Sequence, residues 1–212
     1  MRGATRVVLL SLIASTAFPL QLIGQSVGIG AKVVSVRLSR ETAAGLEQPK
    51  GTAFGIEGVI SVSRFGLNIR YYEGSISTPT AGSDQDIVEG EAMVWFRPVR
   101  WLSLVIGPHV RSLVTTTGTE RWLFLEARLH SEVSLLGPIR GYAEGWRVLA
   151  ADVNVAEPFD NGYGIDGGLT LSFGALPLAF AIRYRNESAT LAGGARLETI
   201  EQLAIVVGFG RF

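Results

Sequence analysis

The sequence predicts an all-β fold: an antiparallel sheet closed into a transmembrane barrel of about ten strands, with eight as the alternative count. Three observations predict it. Apolar and polar residues alternate at period two in runs of about ten to thirteen residues. The connections between runs alternate between tight and long. No later apolar run reaches the roughly 20 residues that a membrane-crossing helix needs, and a closed barrel is the other structure that leaves no backbone group unpaired in hydrocarbon.

The expected strands are residues 27–40, 52–63, 66–77, 86–97, 102–114, 121–134, 139–151, 163–173, 178–189 and 199–212. The first resists a clean face assignment, because Lys32 and Arg37 fall on opposite parities; a bulge or an interfacial position for one of them accounts for that. The second and third carry Glu57 and Arg70 inward. In the fourth, Glu89, Glu91 and Arg97 oppose Val88, Ala92, Val94 and Phe96. In the fifth, Leu102, Leu104, Ile106, Pro108 and Val110 oppose Ser103, Val105, Gly107, His109 and Arg111. The sixth divides most sharply, with Leu123, Leu125, Ala127, Leu129 and Val133 against Glu126, Arg128, His130 and Glu132. The seventh carries Arg140 and Glu144 inward, but Glu144 and Arg147 again disagree in parity. Asp166 assigns inward on the eighth. On the ninth, Arg183, Arg185 and Glu187 oppose Leu178, Phe180, Ile182 and Tyr184.

Tight turns are expected at residues 64–65, 98–101, 135–138 and 174–177. Longer polar loops are expected at 41–51, 78–85, 115–120, 152–162 and 190–198. Turns on one side and loops on the other separate a periplasmic from an external end. Glycine is 26 of 212 residues and falls mostly inside the alternating runs, which points to bends and close approaches in a curved sheet. Tyr71, Phe96, Trp101, Trp122, Tyr163, Phe173 and Tyr184 are candidates for interfacial aromatic girdles or for core.

The two ends turn this pattern toward a membrane. Arg2 and Arg6 precede an apolar stretch, 7–17, and small residues follow at Gly24 and Ser26. That layout is a secretory signal peptide, expected to occupy 1–26 and to be cleaved, leaving 27–212 as the barrel domain. The last run, TIEQLAIVVGFGRF, stops on Phe212. It resembles the terminal strand of small bacterial outer-membrane β-barrels, whose final Phe the barrel insertion machinery reads. It departs from that pattern at Gly210, where a bulky residue is usual. The resemblance implies residence in the outer membrane of a Gram-negative cell, with Phe212 as insertion signal and membrane lipids as partners. It also implies that apolar residues face lipid and charges face the lumen; alternation alone fits the reverse, a soluble lipocalin-like binder.

The expected lumen network is Glu57, Arg70, Glu89, Glu91, His109, Arg111, Glu126, Arg128, His130, Glu132, Arg140, Glu144, Arg183 and Arg185. A barrel of ten strands is narrow enough for such side chains to cross it, so a largely plugged interior is expected, since wide diffusion pores take 16 strands or more. Basic and acidic residues balance at 19 each, which disfavours nucleic acid. The absence of Cys leaves no disulfide framework. Asp84-Gln85-Asp86 resembles half of the site of the omptin proteases, but no Asp-x-His pair accompanies it. His130, Ser131 and Glu132 have the residue types of a lipid A-modifying hydrolase, but neighbours in a strand point to opposite faces. No catalytic residue, cofactor or metal site is therefore expected. The expected role is structural or surface contact through the external loops, with an unknown external ligand.

Overall fold

The computed structural model describes residues 25–78, 84–115, 118–173 and 176–210. The signal stretch through residue 24 and Phe212 lie outside the described residues. One antiparallel sheet closes on itself. Its wall strands are β1 (Gln25–Thr42), β3 (Lys50–Val62), β4 (Phe65–Ser77), β5 (Asp84–Val99), β6 (Leu102–Val114), β7 (Thr119–Leu136), β8 (Ile139–Val153), β9 (Phe159–Ser172), β10 (Leu178–Leu191) and β11 (Arg196–Gly210). Each pairs with the next in sequence, and β11 pairs with β1. The short β2 (Gly45–Glu47) folds back on the external end of β1. The wall therefore has ten strands.

The register fixes the shape. One row of partners runs from Ser26 through Ser61, Gly66, Trp95, Val105, Arg128, Trp146, Gly164, Glu187 and Ile200, and it returns to β1 at Leu38. The offset is 38 − 26 = 12 residues. Twelve rises of about 3.3 Å against ten interstrand spacings of about 4.8 Å tilt the strands by about 40° and give a wall radius of about 10 Å. Arginine and glutamate from opposite walls meet near the axis at that radius.

On the outside, Leu125, Leu129, Val133 and Leu135 of β7 are all exposed. From Leu135 to Leu125 is ten steps, about 25 Å along the axis at that tilt, the height of a lipid-facing belt. Phe65, Phe173, Phe180, Phe209 and Trp101 are exposed toward the periplasmic end, and Tyr71, Tyr163 and Tyr184 toward the external end. These are two aromatic girdles. Trp122 is not part of either: it points inward and is fully buried, and its even parity, shared with Glu126, is the reason.

Beyond the external edge of the belt the pattern inverts. Arg37, Glu73, Ser75, Asp86 and Arg121 face outward. At the same level Val36, Leu38, Ile76, Ile87, Leu113 and Ile200 point inward and pack together, beside a second cluster of Trp122, Phe124, Ala189 and Leu191. Here the wall has water outside, so the apolar side chains turn in. Lys32 faces inward within the belt and Arg37 outward above it, with no bulge between them. Likewise Arg147 faces outward, and the bulge of β8 at Leu149 lies above it rather than between it and Glu144.

The strands also run further out than the alternation predicts. The external connections shrink to 43–49, 78–83, 115–118, 154–158 and 192–195, in place of the longer loops expected. Asp84, Gln85 and Asp86 belong to β5 and not to a loop; Asp86 accepts a hydrogen bond from Ser75 across the ladder at 2.7 Å. A ladder hydrogen-bonded on both edges satisfies backbone groups that a loop would leave to water, and it carries these residues beyond the membrane boundary.

Candidate functional site

Below the inner apolar layer lies a layer of charge. Seven carboxylates (Glu57, Glu89, Glu91, Glu126, Glu144, Asp166 and Glu187) face Lys32, Arg70, Arg111, Arg128, Arg183, Arg185 and His109. Glu91 sits at the hub: its carboxylate is 2.9 Å from Arg70, 2.7 Å from Arg128 and 3.2 Å from Arg185. β5 and β10 stand five strands apart in a ten-strand wall, so the Arg185–Glu91 contact crosses the whole diameter. Arg70 and Asp166 do the same at 3.8 Å.

The rest of the layer is tied to this hub. Arg128 reaches Glu126 at 2.6 Å and Glu144 at 3.0 Å. His109 holds Glu126 at 2.7 Å through Nδ1, with Nε2 at 3.3 Å from Glu89. Arg111 bridges Glu89 and Glu187, each at 2.9 Å. Arg183 donates to Glu57 at 2.6 Å. Charges drawn from water this way require partners on every side, and the Tyr72 hydroxyl, donating to Glu89 at 2.6 Å, adds a neutral one. Trp146 lies under the guanidinium groups of both Arg128 and Arg185, at 5.0 and 4.7 Å. Two glycines make room for rings: a Cβ on Gly66 or Gly164 would fall 2.2 Å from the indole of Trp95 or Trp146, its cross-strand partner.

His130, Glu132 and Arg140 lie nearer the periplasmic end and are partly exposed. His130 approaches Glu144 at 3.2 Å and stacks on Tyr142, and Arg140 donates to Glu132 at 2.9 Å. His130 and Glu132, together with Trp95, Arg97, Ser103 and Thr170, line a cavity of about 130 Å³ that reaches up to Arg70, Glu91 and Arg183; a smaller one of about 30 Å³ lies within the charged layer. Ser131 faces the opposite side of the wall, paired with Leu102 and Ala143, so it and His130 make no catalytic pair. The ligand-type atoms of His109, Glu126 and Glu187 lie within 4.8 Å of one another. Arg128 already neutralises Glu126, and Arg111 and Arg185 neutralise Glu187, so arginine supplies there the positive charge a metal ion would bring.

Sequence reasoning placed the charged side chains by parity and expected them to cross the lumen, but it did not give which partners meet, and it missed the ion pairs at the external mouth. There Arg40 reaches Glu198 at 2.7 Å and, across the full diameter, Glu120 at 2.8 Å. Arg196 joins the same two acids. The inward parity of Arg40, shared with Lys32, was the available signal.

No known family model matches this sequence, and no curated protein matches it by sequence. Solved structures are similar to it to different degrees. The translocator domain of the autotransporter NalP from Neisseria meningitidis is 13% identical, with 98% of this chain and 96% of that one covered at a TM-score of 0.52. The transport unit of the autotransporter AIDA-I from Escherichia coli is 8% identical over 98% and 97% of the two chains, TM-score 0.45. Neisserial surface protein A is 10% identical over 88% and 98%, TM-score 0.41. With its closed ten-strand wall, apolar belt, two aromatic girdles and charged interior, the chain has the fold of the small outer-membrane β-barrels.

Proposed function

We propose that this barrel is closed to diffusing solutes and serves a structural or surface-contact role in the outer membrane, without catalysis. One observation carries the reading: two unlike interior layers are stacked along the axis. The ionic layer bridges the full diameter through Arg185 and Glu91, and the apolar layer above it buries Trp122, Phe124, Leu38 and Ile87 completely or nearly so. An ion would have to displace paired charges and then cross a dry hydrocarbon layer, both of which cost several kcal/mol. Reconstitution into planar bilayers tests this: steady openings should be absent, and large ones would overturn it.

The surface left for contact outside the cell is small, because the strands carry the wall nearly to its tips. Among the described residues it includes the β1–β3 hairpin end with β2, the mouth pairs around Arg40 and Arg196, and the connections at 154–158 and 192–195. Membrane lipids are the constant partners of the belt, and the insertion machinery is the expected partner during assembly. A lipid-modifying activity is disfavoured by the placement of His130 and Ser131 on opposite faces; overexpression should leave the mass of lipid A unchanged, and a change abolished by His130→Ala would restore the enzyme reading. A soluble lipocalin-like binder is disfavoured by the exposed Leu, Ile and Phe side chains of the belt. Heat-modifiable migration in detergent gels should separate the two, since a water-soluble monomer would lack it.

A further inference from the structure

We propose that the outward cleft where β8 and β9 part, with Arg147 at its foot, seats the phosphate of an outer-leaflet lipid headgroup. The inference rests on the chain being an inserted barrel. Pairing between β8 and β9 stops at Arg147↔Tyr163. Above that point β8 continues to Val153 paired only with β7, and β9 begins at Phe159 paired only with β10. Two strand edges therefore face each other without a ladder, and β8 carries its bulge at Leu149 just above Arg147. An open edge is not tolerated in hydrocarbon, so it must meet polar groups.

Arg147 supplies the charge. It is exposed on the outer face, opposite Ala127 on β7 and Tyr163 on β9, with exposed Leu125, Leu149 and Ile165 around it. No ion pair joins it to a carboxylate among the described residues. Arg37, the outward cation on β1, has Glu201 at 3.5 Å instead. The wall climbs 12/10 = 1.2 residues per strand, which puts Arg147 within about one residue step of the level of Ser35, Phe54 and Asn186, where the outer face turns from apolar to polar. Lipid phosphates lie at that level. A guanidinium matches a phosphate bidentately, and the exposed Tyr163 is the cross-strand partner of Arg147.

The test uses the full mature chain refolded in detergent and native mass spectrometry, with lipid A as probe and the same lipid A after removal of its phosphates as control. Wild type should retain lipid A and bind the dephosphorylated lipid about five-fold less or weaker, and Arg147→Gln should lose about the same factor, as expected for one charge-assisted contact at a partly solvated site. Arg147→Lys should retain part of the binding and Arg37→Gln nearly all of it. Equal retention by Arg147→Gln, or no preference of wild type for the phosphorylated lipid, overturns the proposal. So does a protein dimer lost in Arg147→Gln, which would make a second copy the occupant. Heat-modifiable migration is scored on every variant; its absence in wild type would sink the inserted barrel itself, a different failure from loss of lipid preference in a folded barrel.

Discussion

Replacing Glu91 by Gln is the sharpest test of the charged layer. The change keeps the shape of the side chain but removes the charge shared by Arg70, Arg128 and Arg185 at 2.9, 2.7 and 3.2 Å. Arg70 keeps distant contacts with Glu57 and Asp166 at 3.9 and 3.8 Å; Arg128 keeps Glu126 and Glu144, and Arg185 keeps Glu187. Three guanidinium groups then converge on an amide whose nitrogen points a donor at donors. Breaking a buried ionic contact on one side costs about 3–5 kcal/mol. With a urea dependence of about 2–3 kcal/mol per molar, the midpoint of unfolding from lipid vesicles should fall by about 1–2 M. Glu201→Gln is the matched control, because the Arg37–Glu201 pair is 59% and 38% exposed and should contribute less than about 1 kcal/mol. Midpoints read by the shift between folded and unfolded migration would settle the comparison. If Glu91→Gln cost no more than Glu201→Gln, the layer would be solvated by continuous water, and the closed interior would fall with it.

Three further predictions concern other parts of the wall. Trp122→Ala, which empties a fully buried site in the apolar layer, should cost about 3–5 kcal/mol; Trp101→Ala, at a side chain 55% exposed on the girdle, should cost less than about 1 kcal/mol. Urea midpoints distinguish them. Gly164→Ala puts a Cβ 2.2 Å from the Trp146 ring and 2.8 Å from the Asn186 carbonyl oxygen, so it should destabilise by about 1–3 kcal/mol and alter the near-ultraviolet circular dichroism of Trp146, whereas Gly145→Ala, with its nearest atom 3.9 Å away, should do neither. Arg40→Ala at the mouth should cost about 1–2 kcal/mol, because Arg196 remains to hold Glu198 and Glu120; a loss as large as that of Glu91→Gln would show that the mouth, and not the middle layer, carries the cross-lumen tie.

The strand count and the two faces were legible because alternation at period two is a local property, read within ten residues. His130 and Ser131 illustrate it: neighbours in sequence, they need no tertiary information to be put on opposite sides. The partners were not legible in the same way. Glu91 and Arg185 are 94 residues apart in the chain, and what brings them together is the offset of 12 between the first and last turn of the register. No segment carries that number. It is the sum of nine hairpin registers and one closure, so the level at which a side chain sits along the axis stays hidden until all ten are known.

The same hidden level explains the strands that resisted assignment. Parity states which residues share a face, not what that face meets, and along each long strand the surroundings change from acyl chains to water. Val34, Val36 and Leu38 continue the inward parity of Lys32, yet they are apolar where Lys32 is charged. Arg37 continues the outward parity of Val33, yet it is charged where Val33 is greasy. A rule with one sign along the whole strand needs a bulge to absorb this; a rule that reverses sign at the membrane boundary needs none, and β1 has none. The point of reversal is therefore a measure of where the bilayer ends. On β1 it falls between Val33 and Arg37, on β4 between Tyr71 and Glu73, and on β11 between Leu203 and Glu201. With the rise of 1.2 residues per strand from the register offset, these three points fall within about two residue steps of one plane, which is what a flat interface across a tilted lattice requires.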